Sequence, residues 1–275
     1  MKTTLAALAA GAVSLVAGLF WFGAYDIAAT DQHLAPTYWL LDAGMRRSVI
    51  QRAKRIDVPP LDDPAQIARG AELYHLNCVQ CHGGPGVAPA PFALGLLPAA
   101  ANLAHTAREW RPAELFWTIR HGIKMSGMPA WAFRMSDDEI WSIVAFMRVM
   151  PTLGAEAYGA IAARALASSQ SGRDREPATT LRLPDAKRGE TAIHQYACVT
   201  CHAIPGIVGS SAPVGPPLDG IATRAFIAGV LPNTRDAMIR WLRAPQSVSP
   251  HNAMPDLGLT AQDAADIAAY LATLK

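Results

Sequence analysis

Two stretches of this chain repeat one short pattern of residues, and the repeat limits the possible folds more than any other feature. The first stretch reads RGAELYHLNCVQCH over residues 69–82, and the second reads RGETAIHQYACVTCH over residues 188–202. Both begin with Arg-Gly, continue with a helical pattern and end in Cys-x-x-Cys-His. The second copy has one extra residue between the glycine and the first cysteine, which predicts a local kink there. A repeat of this kind predicts two similar units in tandem.

The order of elements after each motif is also repeated. A Met-Pro pair follows at Met128 and at Met254, and a terminal helix follows each pair. Ser136 and Thr260 are typical N-caps for these helices, because acidic residues occupy the first turn. Neither half contains a good run of alternating strand pattern, so the predicted fold class is mostly α. Each half is small enough to be only marginally stable without a prosthetic group.

The repeat sets the predicted domain boundaries. We expect a first domain over residues 64–155, a linker over residues 156–183 and a second domain over residues 184–275. The linker starts as a possible helix extension and then becomes polar and rich in helix breakers. Residues 31–63 are predicted to form an amphipathic connector. Its basic cluster at residues 46–55 is expected to lie near anionic lipid headgroups or to dock on a partner. The alternative is the solvated face of a helix that packs on its own domain.

The first 30 residues are predicted to be an export and anchoring segment. No charged residue occurs from Thr3 to Tyr25, and Trp21 and Phe22 lie near its end, like an interfacial aromatic belt. At about 1.5 Å per residue, a helix of this length exceeds the ~30 Å core of a bilayer. We therefore expect a transmembrane helix within residues 1–30, with a cleaved signal peptide as the alternative. In both cases the rest of the chain is expected in the periplasm, and the anchor would hold it at the bacterial inner membrane.

The Cys-x-x-Cys-His motif is the signature of c-type haem attachment. Two thiols on one tight turn can reach the two vinyl groups of a porphyrin, and the next residue then offers its imidazole to the iron. Two covalently bound haem c groups are expected, on the following residues: Cys78, Cys81 and His82 in the first half, and Cys198, Cys201 and His202 in the second. A shared zinc site is disfavoured because the two cysteine pairs belong to separate repeat units.

Both halves resemble class I cytochrome c domains, and together they resemble membrane-bound dihaem cytochromes c. The first half carries GAELY, CVQCHG and GIKMSGMPAW, and the second carries CVTCH, GPPLDGIATR, LPNTRDAMIRWLRAP and NAMPDLG. The second half is especially similar to cytochrome domains fused to or serving haem-copper oxidases. The resemblance covers residues 64–150 and 184–275. It implies two tandem class I cytochrome c domains, which would follow the N-terminal transmembrane helix.

The resemblance also implies a methionine sulfur as the sixth ligand of each iron, at Met128 and Met254. Met125 competes with Met128 in the first half. Pro129 favours Met128, because a residue before proline is held extended.

Further site residues are implied for the second half by the same resemblance. The Pro216 region is expected to accept a hydrogen bond from His202, and Arg224 and Trp241 are expected to contact haem propionates. A solvated arginine and a buried tryptophan are the alternative interpretations. The first half lacks a clean Gly-Pro-Pro-Leu segment, so the carbonyl partner of His82 is not identified.

Ligation by both His and Met leaves no open position on either iron, so we expect one-electron transfer along a respiratory chain rather than catalysis. The donor would be a dehydrogenase or a quinol-oxidising complex, and the acceptor a terminal oxidase or a soluble cytochrome. The alternatives are an electron-transfer subunit of a membrane-associated dehydrogenase and, less favoured, a dihaem peroxidase, which needs a labile sixth site. A thiosulfate-oxidising enzyme with a cysteine ligand would need a fifth cysteine, and the chain has four.

A formal net charge of only +2 argues against nucleic-acid binding.

Overall fold

The computed structural model describes residues 2–173, 182–209, 214–250 and 252–275. The chain folds into two compact units, Met1–Arg175 and Glu176–Lys275. Over both units together, most of the described residues are helical, as the sequence predicts.

The first unit is built from helices joined by loops and short 3₁₀ turns. Its helices are α1 (Lys2–Trp21), α2 (Ala35–Ala53), α3 (Pro64–Asn77), α4 (Val79–His82), α5 (Leu103–Glu109), α6 (Pro112–His121), α7 (Asp137–Val149) and α8 (Ala155–Arg173). Its 3₁₀ turns are Pro91–Gly95, Trp131–Phe133 and Met150–Thr152.

Helix α1 occupies the uncharged segment that the sequence predicts to be a transmembrane helix. Across the ranges that the structure describes, however, no helix combines the length and the apolar character needed to cross a membrane. The predicted transmembrane helix is therefore not supported.

The crossing of α3 and α7 forms the core of the first unit. A Cβ atom built on Gly70 would overlap the carbonyl oxygen of Ser142 on α7, so only glycine allows the two backbones to approach this closely. Tyr74 and Phe146 are buried beside the crossing, with their ring centroids 5.4 Å apart. This crossing places the end of α3, and with it the first cysteine motif, against the core.

The second unit contains fewer helices and one small hairpin among its described residues. Its elements are α9 (Ala186–Gln195), β1 (Phe226–Ile227), β2 (Leu231–Pro232), α10 (Arg235–Arg243), α11 (Pro245–Val248) and α12 (Ala261–Leu271). The two strands are antiparallel, with Phe226 opposite Pro232 and Ile227 opposite Leu231. Short 3₁₀ turns occur at Cys198–Thr200 and Ile221–Thr223.

The crossing of α9 and α12 repeats the arrangement of the first unit. A Cβ atom on Gly189 would overlap the carbonyl oxygen of Asp266 on α12. In each unit the arginine that precedes this glycine makes a second contact between the same two helices. Arg188 Nε donates to Asp266 Oδ2 at 3.0 Å, and in the first unit Arg69 Nη2 donates to Glu139 Oε1 at 3.2 Å. The repeated Arg-Gly pair therefore joins α3 to α7 in the first unit and α9 to α12 in the second, by close packing and an ion pair.

The predicted kink before Cys198 is confirmed. Helix α9 ends at Gln195, and Ala197 adopts a left-handed conformation with φ of 53°. The extra residue of the second copy is accommodated there, between the helix and the cysteine motif.

Helix α8 runs through residues that the sequence prediction assigns to the linker. The side chain of Tyr158 is fully buried, and Ala165 is buried as well. The first turns of α8 thus pack as part of the first unit, against α3. Residues 174–181 of the predicted linker lie outside the described part of the chain.

The connector helix α2 packs on the first unit by its last turns. Val49 and Ala53 are buried, and α2 contacts α6. From the basic cluster, Arg46 forms ion pairs with Asp42 at 3.0 Å and with Glu109 at 3.9 Å. These contacts favour the interpretation in which the connector packs on its own domain.

Replacing Gly70 with alanine should destabilise the first unit, because the added Cβ atom has no room beside Ser142. We expect the free energy of unfolding to fall by about 1 to 3 kcal/mol, the usual cost of overpacking a core. Chemical denaturation followed by circular dichroism would measure it. Gly44→Ala is the matched control, since Gly44 lies on α2 with open space around it, and alanine is favoured over glycine in helices by about 1 kcal/mol. Equal midpoints for the two variants would contradict the role assigned to the crossing.

Candidate haem sites

The first Cys-x-x-Cys-His motif forms a tight turn at the end of α3. The amides of Cys81 and His82 donate to the carbonyl oxygen of Cys78 at 3.1 and 3.0 Å. Cys78 is buried, whereas Cys81 and His82 are partly exposed. All four cysteines of the chain are unpaired thiols, so this turn presents two of them together with an imidazole.

The His82 ring is held by the backbone of a distant loop. Its Nδ1 atom lies 2.7 Å from the carbonyl oxygen of Ala101. Because a carbonyl oxygen only accepts hydrogen bonds, Nδ1 carries the proton and Nε2 keeps its lone pair. Burial lowers the pKa of His82, although the hydrogen bond to Ala101 opposes this, so the ring is neutral near pH 7. Ala101 is the acceptor that the sequence did not identify.

The second motif has the same hydrogen bonds on a 3₁₀ turn. The amides of Cys201 and His202 donate to the carbonyl oxygen of Cys198 at 3.2 and 3.0 Å. Nδ1 of His202 lies 2.7 Å from the carbonyl oxygen of Pro216. The expected bond to the Pro216 region is therefore confirmed, and it leaves the Nε2 lone pair of His202 uncommitted in the same way.

The His202 ring lies directly over Gly215. A Cβ atom at this glycine would lie 2.5 Å from Cε1 and 2.9 Å from Nδ1 of the histidine. The amide of Gly215 donates to the carbonyl oxygen of Cys201 at 2.9 Å, which ties this loop to the motif. A larger residue at this position would displace the imidazole.

Arg224 stabilises the loop that carries the acceptor of His202. Its Nη2 atom donates to the carbonyl oxygens of Pro217 at 2.6 Å and Asp219 at 2.8 Å. Trp241 lies on α10 and packs, partly buried, against the core of the second unit. Nothing in the sequence indicates that Arg224 braces this loop.

Met128 and Met254 lie in loops of matching local geometry. The amide of Met128 donates to Ser126 Oγ at 3.2 Å, and the amide of Met254 donates to Asn252 Oδ1 at 2.8 Å. In both loops a polar side chain two residues before the methionine thus accepts its amide proton, and a proline follows. Both methionines are partly buried against the core of their unit. The pairing of Ser-Gly-Met-Pro with Asn-Ala-Met-Pro is the sequence signal for this turn.

The neighbouring Met125 has a different environment. It is 99% exposed and has a φ of 58°. Gly122, at the end of α6, has a φ of 65°, and a Cβ atom there would lie 2.7 Å from the carbonyl oxygen of Met128. This glycine allows Met128 to lie close to α6, and the amide of Ile123 donates to the Met128 carbonyl oxygen at 3.2 Å.

These groups match the donor set of a c-type haem. Each unit offers two unpaired thiols, one imidazole with an uncommitted Nε2 atom and one partly buried thioether. Within the described ranges, no group of three or more His, Cys, Asp or Glu residues is placed to hold a metal ion. The residues that each unit does bring together fit a covalently attached haem.

Two family models match separate parts of the chain. Residues 65–147 match the model of cytochrome c oxidase, cbb3-type, subunit III. Residues 186–275 match the model of cytochrome c. Each match contains one Cys-x-x-Cys-His motif and one Met-Pro pair.

Several curated proteins show local similarity, among them the following three. Cytochrome c oxidase subunit 2 of Alkalihalophilus pseudofirmus is 35% identical over 101 residues, which cover 36% of this chain and 28% of that protein. Quinohemoprotein alcohol dehydrogenase of Comamonas testosteroni is 31% identical over 142 residues, 50% of this chain and 19% of that protein. Photosystem II extrinsic protein V of Guillardia theta is 28% identical over 122 residues, 36% of this chain and 75% of that protein. No solved structure gives a significant match.

The chain covers less than a third of the oxidase subunit and of the dehydrogenase, so the similarity concerns cytochrome c domains and not those whole proteins. Cytochrome c domains bind covalently attached haem c and transfer electrons, and two such domains imply two haems. This chain, with two cytochrome c domains in tandem, is a dihaem cytochrome c.

Proposed function

We propose that this dihaem cytochrome c relays single electrons in a periplasmic respiratory chain and has no catalytic site of its own. One observation carries the proposal. Each unit holds a partly buried methionine in a loop of matching geometry, in addition to a histidine with an uncommitted Nε2 atom. A unit that supplies two protein ligands to the haem iron would leave no position on the metal for a substrate.

The bound haem supplies a one-electron couple at its iron. His82 and His202 would bind the iron through Nε2, and their Nδ1 bonds to carbonyl oxygens increase the basicity of the ring. Met128 and Met254 would supply thioether sulfur to the iron of their unit, and this soft ligand favours the reduced metal.

The remaining residues of each proposed site hold the prosthetic group in place. Cys78 and Cys81 would form the thioether links of the first site, and Cys198 and Cys201 those of the second. Arg224 and Trp241 complete the second site, where they would face the haem propionates. The position of Arg224, next to the loop that holds His202, supports this assignment.

The relatives support redox partners of two kinds. The similarity to an oxidase subunit supports a terminal oxidase as the electron acceptor, with a soluble cytochrome as the other candidate. The similarity to a quinohaemoprotein dehydrogenase supports a dehydrogenase as the donor, with a quinol-oxidising complex as the other candidate. That alignment covers 50% of this chain, and it favours a second candidate function, an electron-transfer subunit of a membrane-associated dehydrogenase.

The Met128→Ala variant should lose the methionine-to-iron charge-transfer absorption of one haem and bind carbon monoxide or cyanide more readily at that haem. The midpoint potential of this haem should also fall, because the soft sulfur ligand is removed. Met125→Ala is the matched control, three residues away in the same loop, and it should keep the absorption band. Optical spectroscopy and redox titration of the full chain measure both effects. The reverse behaviour of the two variants would assign the ligand to Met125.

The purified protein should accept electrons from a chemical reductant yet turn over hydrogen peroxide only at the background rate of free haem. The reason is that neither iron has a vacant position when both methionines are bound. Steady-state peroxidase assays, with the oxidised and the half-reduced protein, measure this. Enzyme-like turnover in either state would instead favour a dihaem peroxidase.

The haem domains should be accessible from outside the cytoplasm. The uncharged run from Thr3 to Tyr25 supports export of the chain. External protease should therefore digest the full-length protein in intact spheroplasts, while a cytoplasmic marker stays protected. A variant without residues 1–30 and without another export signal serves as the control and should be protected. Protection of the full-length chain would contradict the proposed location.

A further inference from the structure

Helix α8 lies outside the region that matches a family model, yet it packs on the first haem-attachment segment. The matched region ends at residue 147, and α8 begins at Ala155. A Cβ atom at Gly84 would lie 2.7 Å from Cζ of Tyr158, and one at Gly86 would lie 2.5 Å from Cβ of Ala155. The first turn of α8 therefore rests on the glycine-rich residues that directly follow the motif.

Tyr158 belongs to a layer of aromatic side chains around Cys78. Its ring centroid lies 6.4 Å from that of Phe146 and 6.0 Å from that of His75. Its hydroxyl group shares a hydrogen bond of 3.3 Å with Nδ1 of His75, which lies in the last turn of α3, just before Cys78. Tyr158 is fully buried, and Cys78 belongs to the same buried cluster.

A second tyrosine holds the other side of this segment. The hydroxyl group of Tyr74 donates to the carbonyl oxygen of Gly83 at 2.7 Å, and its ring packs on Phe146. Burial raises the pKa of Tyr74, and it raises the pKa of Tyr158 to about 12, so both phenols stay protonated at neutral pH. The motif is therefore bordered by two neutral, buried phenols, one from α3 and one from α8.

The packing of α8 is tight at its start and looser further along. Beyond Tyr158, a groove of about 470 Å³ separates α8 from α3 and α7, with Ile67, Ala71 and Ile161 in its lining. The contact with the haem-attachment segment is therefore made by the first turn of α8, with Tyr158 as its largest side chain.

We infer that α8 is a cover over the first haem-attachment segment, and that Tyr158 is the positioning residue that seats this cover on Gly84 and His75. The inference rests on attachment of the first haem to Cys78 and Cys81. A dry aromatic layer next to the haem excludes water, which disfavours the more highly charged, oxidised state of the metal and raises its potential. Tyr158 thus acts on the first haem through its surroundings and not through the iron.

Hydrogen–deuterium exchange of the full-length holoprotein tests the cover directly. In Tyr158→Ala, amides of residues 78–87 should exchange several-fold faster than in the parent protein, whereas residues 198–207 of the second unit should be unchanged. Redox titration of the same variant should show one midpoint potential shifted downwards and the other unmoved. Tyr158→Phe keeps the ring and should retain most of the protection. Tyr38→Ala, at a tyrosine of α2 that is 58% exposed, is the control and should alter neither measurement.

A double-mutant cycle separates seating of the cover from general destabilisation. Gly84→Ala should speed exchange in the parent protein, because its Cβ atom meets the Tyr158 ring, and it should add little in the Tyr158→Ala background, where the ring is absent. Additive effects of the two changes, or unchanged exchange in both single variants, would overturn the inference. The exchange measurement does not depend on which residues bind the iron, so failure of the proposed electron-carrier function would leave this result intact.

Discussion

The close approach of two helix backbones is the constraint on which each haem site depends. Gly70 lies against the carbonyl oxygen of Ser142, and Gly189 lies against that of Asp266, at corresponding places in the two units. Helices α3 and α9, which carry these two glycines, run from the crossing towards the cysteine motif of their unit. The crossing therefore decides where the thiols and the histidine lie relative to the core. Helix packing energy, more than the short motif itself, holds these groups in place.

Backbone carbonyl groups from loops complete the haem sites that the helices position. The imidazoles of His82 and His202 are held by the carbonyl oxygens of Ala101 and Pro216, at 2.7 Å in both cases. The two acceptors follow their histidines at different distances along the chain, but the resulting hydrogen bond is the same. The two haem sites thus share the same kind of helix crossing. Their loops differ in sequence, but each supplies a carbonyl oxygen to the histidine of its motif.

The features that depend on local sequence patterns could be predicted from the sequence. The features that depend on contacts between residues far apart in the chain could not. The tandem units, the helical class and the kink at Ala197 follow from the repeat and its one-residue difference. Ala101 left no signal, because any residue can supply a carbonyl oxygen. The sequence predicted a helix extension at the start of the linker, but it did not indicate that Tyr158 would be buried against α3. The uncharged N-terminal run suggested a transmembrane helix, which the described helices do not support.

The separation between helix crossings and acceptor loops has a consequence for how such a protein evolves. Substitutions in the loops around Ala101 or Pro216 alter the electron donation of one imidazole, and they leave the Gly70 and Gly189 contacts untouched. Selection can therefore adjust each haem independently, without endangering the scaffold that both copies share. A tandem chain built this way can acquire different reduction potentials at its two metal centres. Such a difference would give electron flow a preferred direction within a single polypeptide.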